Sequence, residues 1–210
     1  MADTLTHDAT VPPDHDEVGH GHATTTGLSN EKLGMWVFLG SECLLFGALI
    51  TTYLIYKEKA PPGSGPRPHD VYDIPFTSVS SFVLLMSSVT MVLALSAQQR
   101  SDFERARVWL VTTALLGATF ISGQVYEFTG FVKEGMGYTT NVASSSFFTL
   151  TGFHGVHVSV GIIMLMSLVV MSARGHLPVQ RSETVEIVGL YWHFVDVVWI
   201  LIFTVVYLIK

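Results

Sequence analysis

Five long apolar stretches, nearly free of charge, alternate with short polar segments along the chain. They span about 33–56, 75–97, 108–132, 142–173 and 185–209. Each exceeds the roughly 20 residues that a helix needs to cross a bilayer. Backbone groups at that depth must bond within their own segment, which favours helices over irregular chain. The pattern therefore predicts an all-α, polytopic membrane bundle with five transmembrane helices. Local punctuation agrees. Ser29-Asn30-Glu31 reads as a cap followed by an acid in the first turn. Pro75 suits the opening turn of the second helix. Gly175 and Pro178 stop the fourth, which is long enough to tilt or protrude. Pro61-Pro62-Gly63-Ser64-Gly65-Pro66 marks an exposed loop over 57–73. Residues 1–30 are polar and hold His7, His15, His20 and His22; they read as a disordered tail, with spacing too irregular for a metal motif.

Composition supports the same class. Of 210 residues, 49% are hydrophobic and 13% charged, which fits a membrane bundle better than a soluble domain. The net charge of −6 owes much to the tail, so no nucleic-acid partner is expected. The single cysteine, Cys43, forbids an internal disulfide and reads as a small packing residue. With the N-terminus in the cytoplasm, the inner segments carry Lys32, Arg100, Arg105, Arg107, Arg174 and Arg181. The outer ones carry Lys57, Lys59, Arg67, Lys133 and Lys210. Six against five leans towards N-inside and C-outside.

The candidate chemistry is the set of polar groups inside the spans: Glu42, Gln124, Glu127, His154, His157, His193 and Asp196. His193 and Asp196 are three residues apart, about 60° on a helix face, and are expected to pair. A carboxylate at such depth costs several kcal/mol unless it is paired, protonated or turned to a protein interior. At about 1.5 Å rise per residue, Glu42, His193 and Asp196 fall just inside the midplane. Gln124, Glu127 and His154 fall outside it, and His157 near the middle. Two readings stay open: a proton or ion path, or packing glue. Haem ligation asks for two histidines at one depth, but His154 and His193 differ by about 13 Å along the normal, and His157 and His193 by about 9 Å. The same split disfavours zinc. No nucleophile triad, nucleotide loop or flavin motif is visible, and no metal site is assigned.

Four motifs carry a family resemblance. They are Gly40-Ser41-Glu42-Cys43-Leu44-Leu45-Phe46, Gln124-Val125-Tyr126-Glu127-Phe128, the run Ser146 to Val158 containing Phe153-His154-Gly155-Val156-His157, and Tyr191-Trp192-His193-Phe194-Val195-Asp196-Val197-Val198-Trp199. In this order, over about 180 residues, the chain resembles subunit III of the haem–copper terminal oxidases. It has room for five of the seven helices of the mitochondrial form, as in many bacterial members. The resemblance implies an accessory, non-catalytic subunit without a redox centre, serving an enzyme that reduces oxygen to water and pumps protons. Haem and copper would reside in subunits I and II. This subunit would dock on subunit I, with a subunit IV as a possible further neighbour, bind phospholipid in a cleft, and support proton uptake and sustained turnover. It would lie in the bacterial cytoplasmic membrane with its N-terminus in the cytoplasm. Glu42 would be the family's buried carboxylate near the lipid cleft, and Glu127 its second helix carboxylate. Gln124, His154, His157, His193 and Asp196 would tie the bundle.

The electron donor, cytochrome c or quinol, would bind other subunits. Glu42 and Phe153 look more like cytochrome c oxidases, whereas Phe203 to Leu208 also looks like the quinol enzymes; cytochrome c is favoured. A proton-coupled transporter using Glu42, Glu127 and Asp196 is the reading from another class. It would call for an internal repeat or broken helices, and neither is apparent.

Overall fold

The computed structural model describes residues 29–59, 65, 66 and 72–209. The expected disordered tail with its four histidines, and most of the Pro/Gly-rich loop, lie outside the described residues. Five long helices follow one another: α1 Asn30–Tyr56, α2 Ile74–Gln99, α3 Phe103–Lys133, α4 Val142–Ala173 and α5 Ser182–Phe203. All five are long and apolar enough to span a membrane, and no strand occurs among the described residues.

The ends follow from side-chain caps. Ser29, Asp73, Asp102 and Asn141 each accept a hydrogen bond from a first-turn backbone N–H of the helix they open. The Asp102 cap explains why α3 starts at Phe103 rather than near 108: the charged stretch Phe103–Arg107 becomes its first turn. The reversal from α2 to α3 is correspondingly tight, with Ser101 at φ +63°. Gly135 and Gly175 close α3 and α4 at φ +88° and +71°. In both, the next N–H reaches back to a carbonyl in the last turn, Phe131 and Met171 respectively. α5 ends in a wide turn, Thr204–Leu208, where the Ile209 N–H bonds the Thr204 carbonyl at 3.0 Å. That extra residue per turn brings both Val206 and Tyr207 inward.

The centre of the bundle is α5, which packs against α1, α2 and α4, while α3 packs between α2 and α4. Half of the most apolar window of α5 is buried, against 11% for α1. Trp192 fills the middle. Its ring lies between Gly117 of α3 and Gly161 of α4, and its indole N–H donates to Ser87 of α2 at 2.9 Å. One heptad on, Trp199 donates to Ser81 of the antiparallel α2 at 2.8 Å. α1 contributes a single seam, Leu39, Phe46 and Tyr53, at intervals of seven. Its other faces present Trp36, Val37 and Leu44 outward, as lipid-facing helices do. Cys43 lies on this exposed side, not in the packing. The reason is its place beside, not on, the seven-residue seam.

Candidate functional site: polar groups at membrane depth

The first cluster forms where α1 meets α4. His157 Nε2 lies 3.1 Å from Glu42 Oε2, and each side chain is 14% exposed. The other imidazole nitrogen, Nδ1, sits 2.8 Å from the Phe153 carbonyl one turn earlier, which orients the ring. A backbone carbonyl can only accept, so Nδ1 carries the hydrogen and Nε2 is the atom that shares a proton with Glu42. Tyr191 of α5 donates to the His157 carbonyl at 3.0 Å, and Phe46 packs edge-on against the imidazole. A groove of about 240 Å³ opens beside the pair, lined by Met35, Phe38, Val160, Met164, His157 and Tyr191 among others. Its wall is apolar.

The second cluster joins α5 to α2. His193 Nδ1 lies 2.6 Å from Ser88 Oγ, so the expected His193–Asp196 pair does not form. The 60° between the two is enough to turn His193 towards the α2 serine. Asp196 is 3% exposed, and neither of its oxygens has a hydrogen-bond partner among the described residues. The Ser88 hydroxyl, 2.6 Å from His193 Nδ1, also stands beside it.

His154 and Gln124 are close neighbours. Gln124 Nε2 donates to the Thr151 carbonyl at 2.8 Å, one turn before His154. The His154 ring is fully buried, stacked on Trp199 at 4.8 Å, and edge-on to Phe120 and Phe46. Neither of its nitrogens has a partner among the described residues. The three histidines thus turn to a carboxylate, a serine and an indole rather than towards one another.

Glu127 departs from the grouping expected of it. It crosses not to α4 but to α2, where Thr77 donates to its Oε1, and the Tyr207 hydroxyl from the wide turn of α5 also reaches it. Tyr207 stacks within 4.4 Å of Tyr72, whose hydroxyl is 3.3 Å from that of Tyr53. Sequence reasoning missed Thr77, Tyr72 and Tyr207. Tyr207 depends on the wide turn, which no residue pattern announces, whereas Thr77 could have been found as the one hydroxyl two residues past Pro75 on an uncharged helix.

The family model for cytochrome c oxidase subunit III matches residues 14–210. The chain belongs to that family. The cytochrome c oxidase subunit 3 of Bacillus sp. strain PS3 is 40% identical over 187 residues, covering 89% of each chain. The cytochrome bo(3) ubiquinol oxidase subunit 3 of Pseudomonas aeruginosa is 38% identical, covering 93% of each. The quinol oxidase subunit 3 of Bacillus subtilis strain 168 is 36% identical, covering 93% of this chain and 97% of the relative. This subunit III is therefore the accessory membrane subunit of a haem–copper oxidase, a complex whose other subunits are its partners.

Proposed function

We propose that this subunit III serves a cytochrome c oxidase, docks on subunit I, and holds phospholipid in the α1–α4 groove beside Glu42 and His157. The observation that carries this reading is the groove itself. An apolar wall takes in the His157 imidazole, whose Nε2 is paired with Glu42, so an acyl chain can lie against Phe38 and Val160. The chain contributes no redox step; haem and copper reside in subunits I and II. Its N-terminus lies in the cytoplasm and Lys210 outside, in the bacterial cytoplasmic membrane. By holding lipid and a proton-sharing pair near subunit I, it keeps proton uptake steady over many turnovers. Glu42 and His157 can exchange one proton between Oε2 and Nε2, and neither group needs a third partner to do so.

The experiment is oxygen uptake by the purified complex, driven in turn by reduced cytochrome c and by quinol. Uptake with cytochrome c supports the reading. Uptake with quinol alone supports the second reading, favoured by the 38% and 36% identity to two quinol-oxidase subunits. Recovery of the chain without partner subunits or oxygen uptake overturns both.

A further inference from the structure

Asp196 is the most buried carboxyl among the described residues, at 3% exposed, yet neither of its oxygens has a hydrogen-bond partner there. No ion pair among the described residues reaches it. The helices packed against α5 offer it no countercharge. α2 carries no titratable residue from Ile74 to Gln99. On α1, Glu42 is turned to His157; on α4, His157 is held by that pairing and His154 lies against Trp199. On α5 itself the titratable neighbours are His193 and Tyr191, and Tyr191 donates to the His157 carbonyl. A carboxylate left alone at this depth costs several kcal/mol.

The group beside Asp196 is the Ser88 hydroxyl, which is also 2.6 Å from His193 Nδ1. A hydroxyl has one hydrogen and two lone pairs. Between a carboxyl and an imidazole nitrogen it therefore donates to one and accepts from the other. If Asp196 is ionised, Ser88 donates to it, His193 Nδ1 carries a hydrogen and donates to Ser88, and Nε2 is bare. If Asp196 carries a proton, it donates to Ser88, Ser88 donates to Nδ1, and Nε2 carries the hydrogen. The two arrangements differ by one proton, and the absence of a countercharge favours the second. Nε2 has no partner among the described residues and is not among the buried atoms. His193 is half-buried, with exposed Val89 and Val197 on either side of it.

We propose that Asp196, Ser88 and His193 form a one-proton site inside the α2–α5 contact, filled through His193 and storing its proton on Asp196. A small turn of the carboxyl towards Ser88 completes the chain. A proton arriving at Nε2 lets the Nδ1 hydrogen pass to Ser88 Oγ, and Ser88 passes its own hydrogen to an Asp196 oxygen. His193 ends neutral, with its hydrogen on Nε2 instead of Nδ1. Ser88 is again a hydroxyl, and Asp196 is a neutral acid. The site has gone from one negative charge to none, and release runs the same steps backwards. It is separate from the Glu42–His157 pair and does not rest on the function proposed for that pair.

The test uses the purified complex and infrared difference spectra between the parent and Asp196→Asn, with isotope-labelled aspartate marking the band. A protonated-carboxyl C=O band is expected in the parent and absent from the variant. After transfer to D₂O, the shift of that band reports exchange of the Asp196 proton. His193→Asn cuts the chain at its mouth and should slow the exchange roughly a hundredfold, the low end of what a positioned proton-transfer group contributes. Ser88→Ala should slow it as much, while Ser88→Thr, which keeps the hydroxyl, should exchange like the parent. A merely structural contact would leave exchange to the opening of the helix pair, with no such ordering of variants. No band lost in Asp196→Asn means an ionised carboxyl and overturns the storage of a proton there. Equal exchange in the parent and His193→Asn overturns the relay, and that comparison decides alone if Ser88→Ala fails to assemble.

Discussion

Gly117→Ala probes the centre of the bundle. A Cβ at Gly117 would stand 2.5 Å from Trp192 Cη2, 3.0 Å from Cζ2 and 3.3 Å from Ile162 Cγ1. Ordinary carbon contacts are near 3.5–4.0 Å, so the indole must give by about 1 Å. It has nowhere to go. On its other side a Cβ at Gly161 would already be 2.8 Å from Cε3, and the ring is fully buried. Movement would also break the indole bond to Ser87. Overpacking costs about 1–3 kcal/mol, and a cross-helix hydrogen bond in a membrane adds roughly 0.6–2 kcal/mol. Alanine returns about 1 kcal/mol of helix propensity. The net expectation is a loss of about 1–4 kcal/mol, read as a fall on the order of 5–10 °C in the melting temperature of the detergent-solubilised complex. Gly152→Ala, where nothing lies within 4 Å of the new methyl, is the control and should melt at or above the parent. Combining Gly117→Ala with Trp192→Phe should cost less than the sum of the two changes, because the smaller ring vacates the space. Equal melting of the Gly117 and Gly152 variants would refute the wedge.

Four further changes test the polar contacts. Glu42→Gln keeps the shape of the α1–α4 contact but removes the proton shared with His157; assembly should hold while activity decays earlier during sustained turnover, and unchanged progress curves would remove Glu42 from that role. Asp196→Asn should leave complex yield near normal, since its carboxyl oxygens bind no neighbour; Ser88→Ala should lower yield more, because it strands the His193 Nδ1, and the reverse order of yields would contradict the observed pairing. Lys32→Met breaks the 2.6 Å ion pair with Glu186, which is partly exposed, so less than about 1 kcal/mol is at stake, and a larger fall in melting temperature would be unexpected.

The five spans were legible because bilayer thickness imposes a length that composition alone reveals. Starts and stops were legible where a cap or a glycine wrote them, as at Ser29 and Gly175. The start of α3 was misplaced because Phe103–Arg107 looks like a charged turn, and only the Asp102 side chain makes it helix. Depth sorting worked for Gln124 and His154, which meet on one level of α3 and α4. It grouped Glu42 with His193 and Asp196, yet Glu42 pairs with His157, and it could not choose Ser88 over Asp196 for His193. Depth is one coordinate, and the azimuth of each helix is set by packing. The two tryptophans of α5 and Ser81 and Ser87 of α2, at matching intervals of seven or six, held that azimuth in plain view.

The attachment of α1 has a consequence for the order of synthesis. Of the five spans it is made first, yet its partners are α4 and α5. Glu42 waits for a histidine 115 residues downstream, and Ser29 for a glutamate 154 residues downstream. At about 5–20 residues per second, the carboxyl of Glu42 spends on the order of ten seconds in the bilayer before His157 is made. In the folded bundle the partner of Glu42 is on α4, not on α2 or α3. Neutralisation by a proton, or the company of another membrane protein, has to bridge the gap, and a nascent chain arrested before α4 would display Glu42 to whatever performs that service.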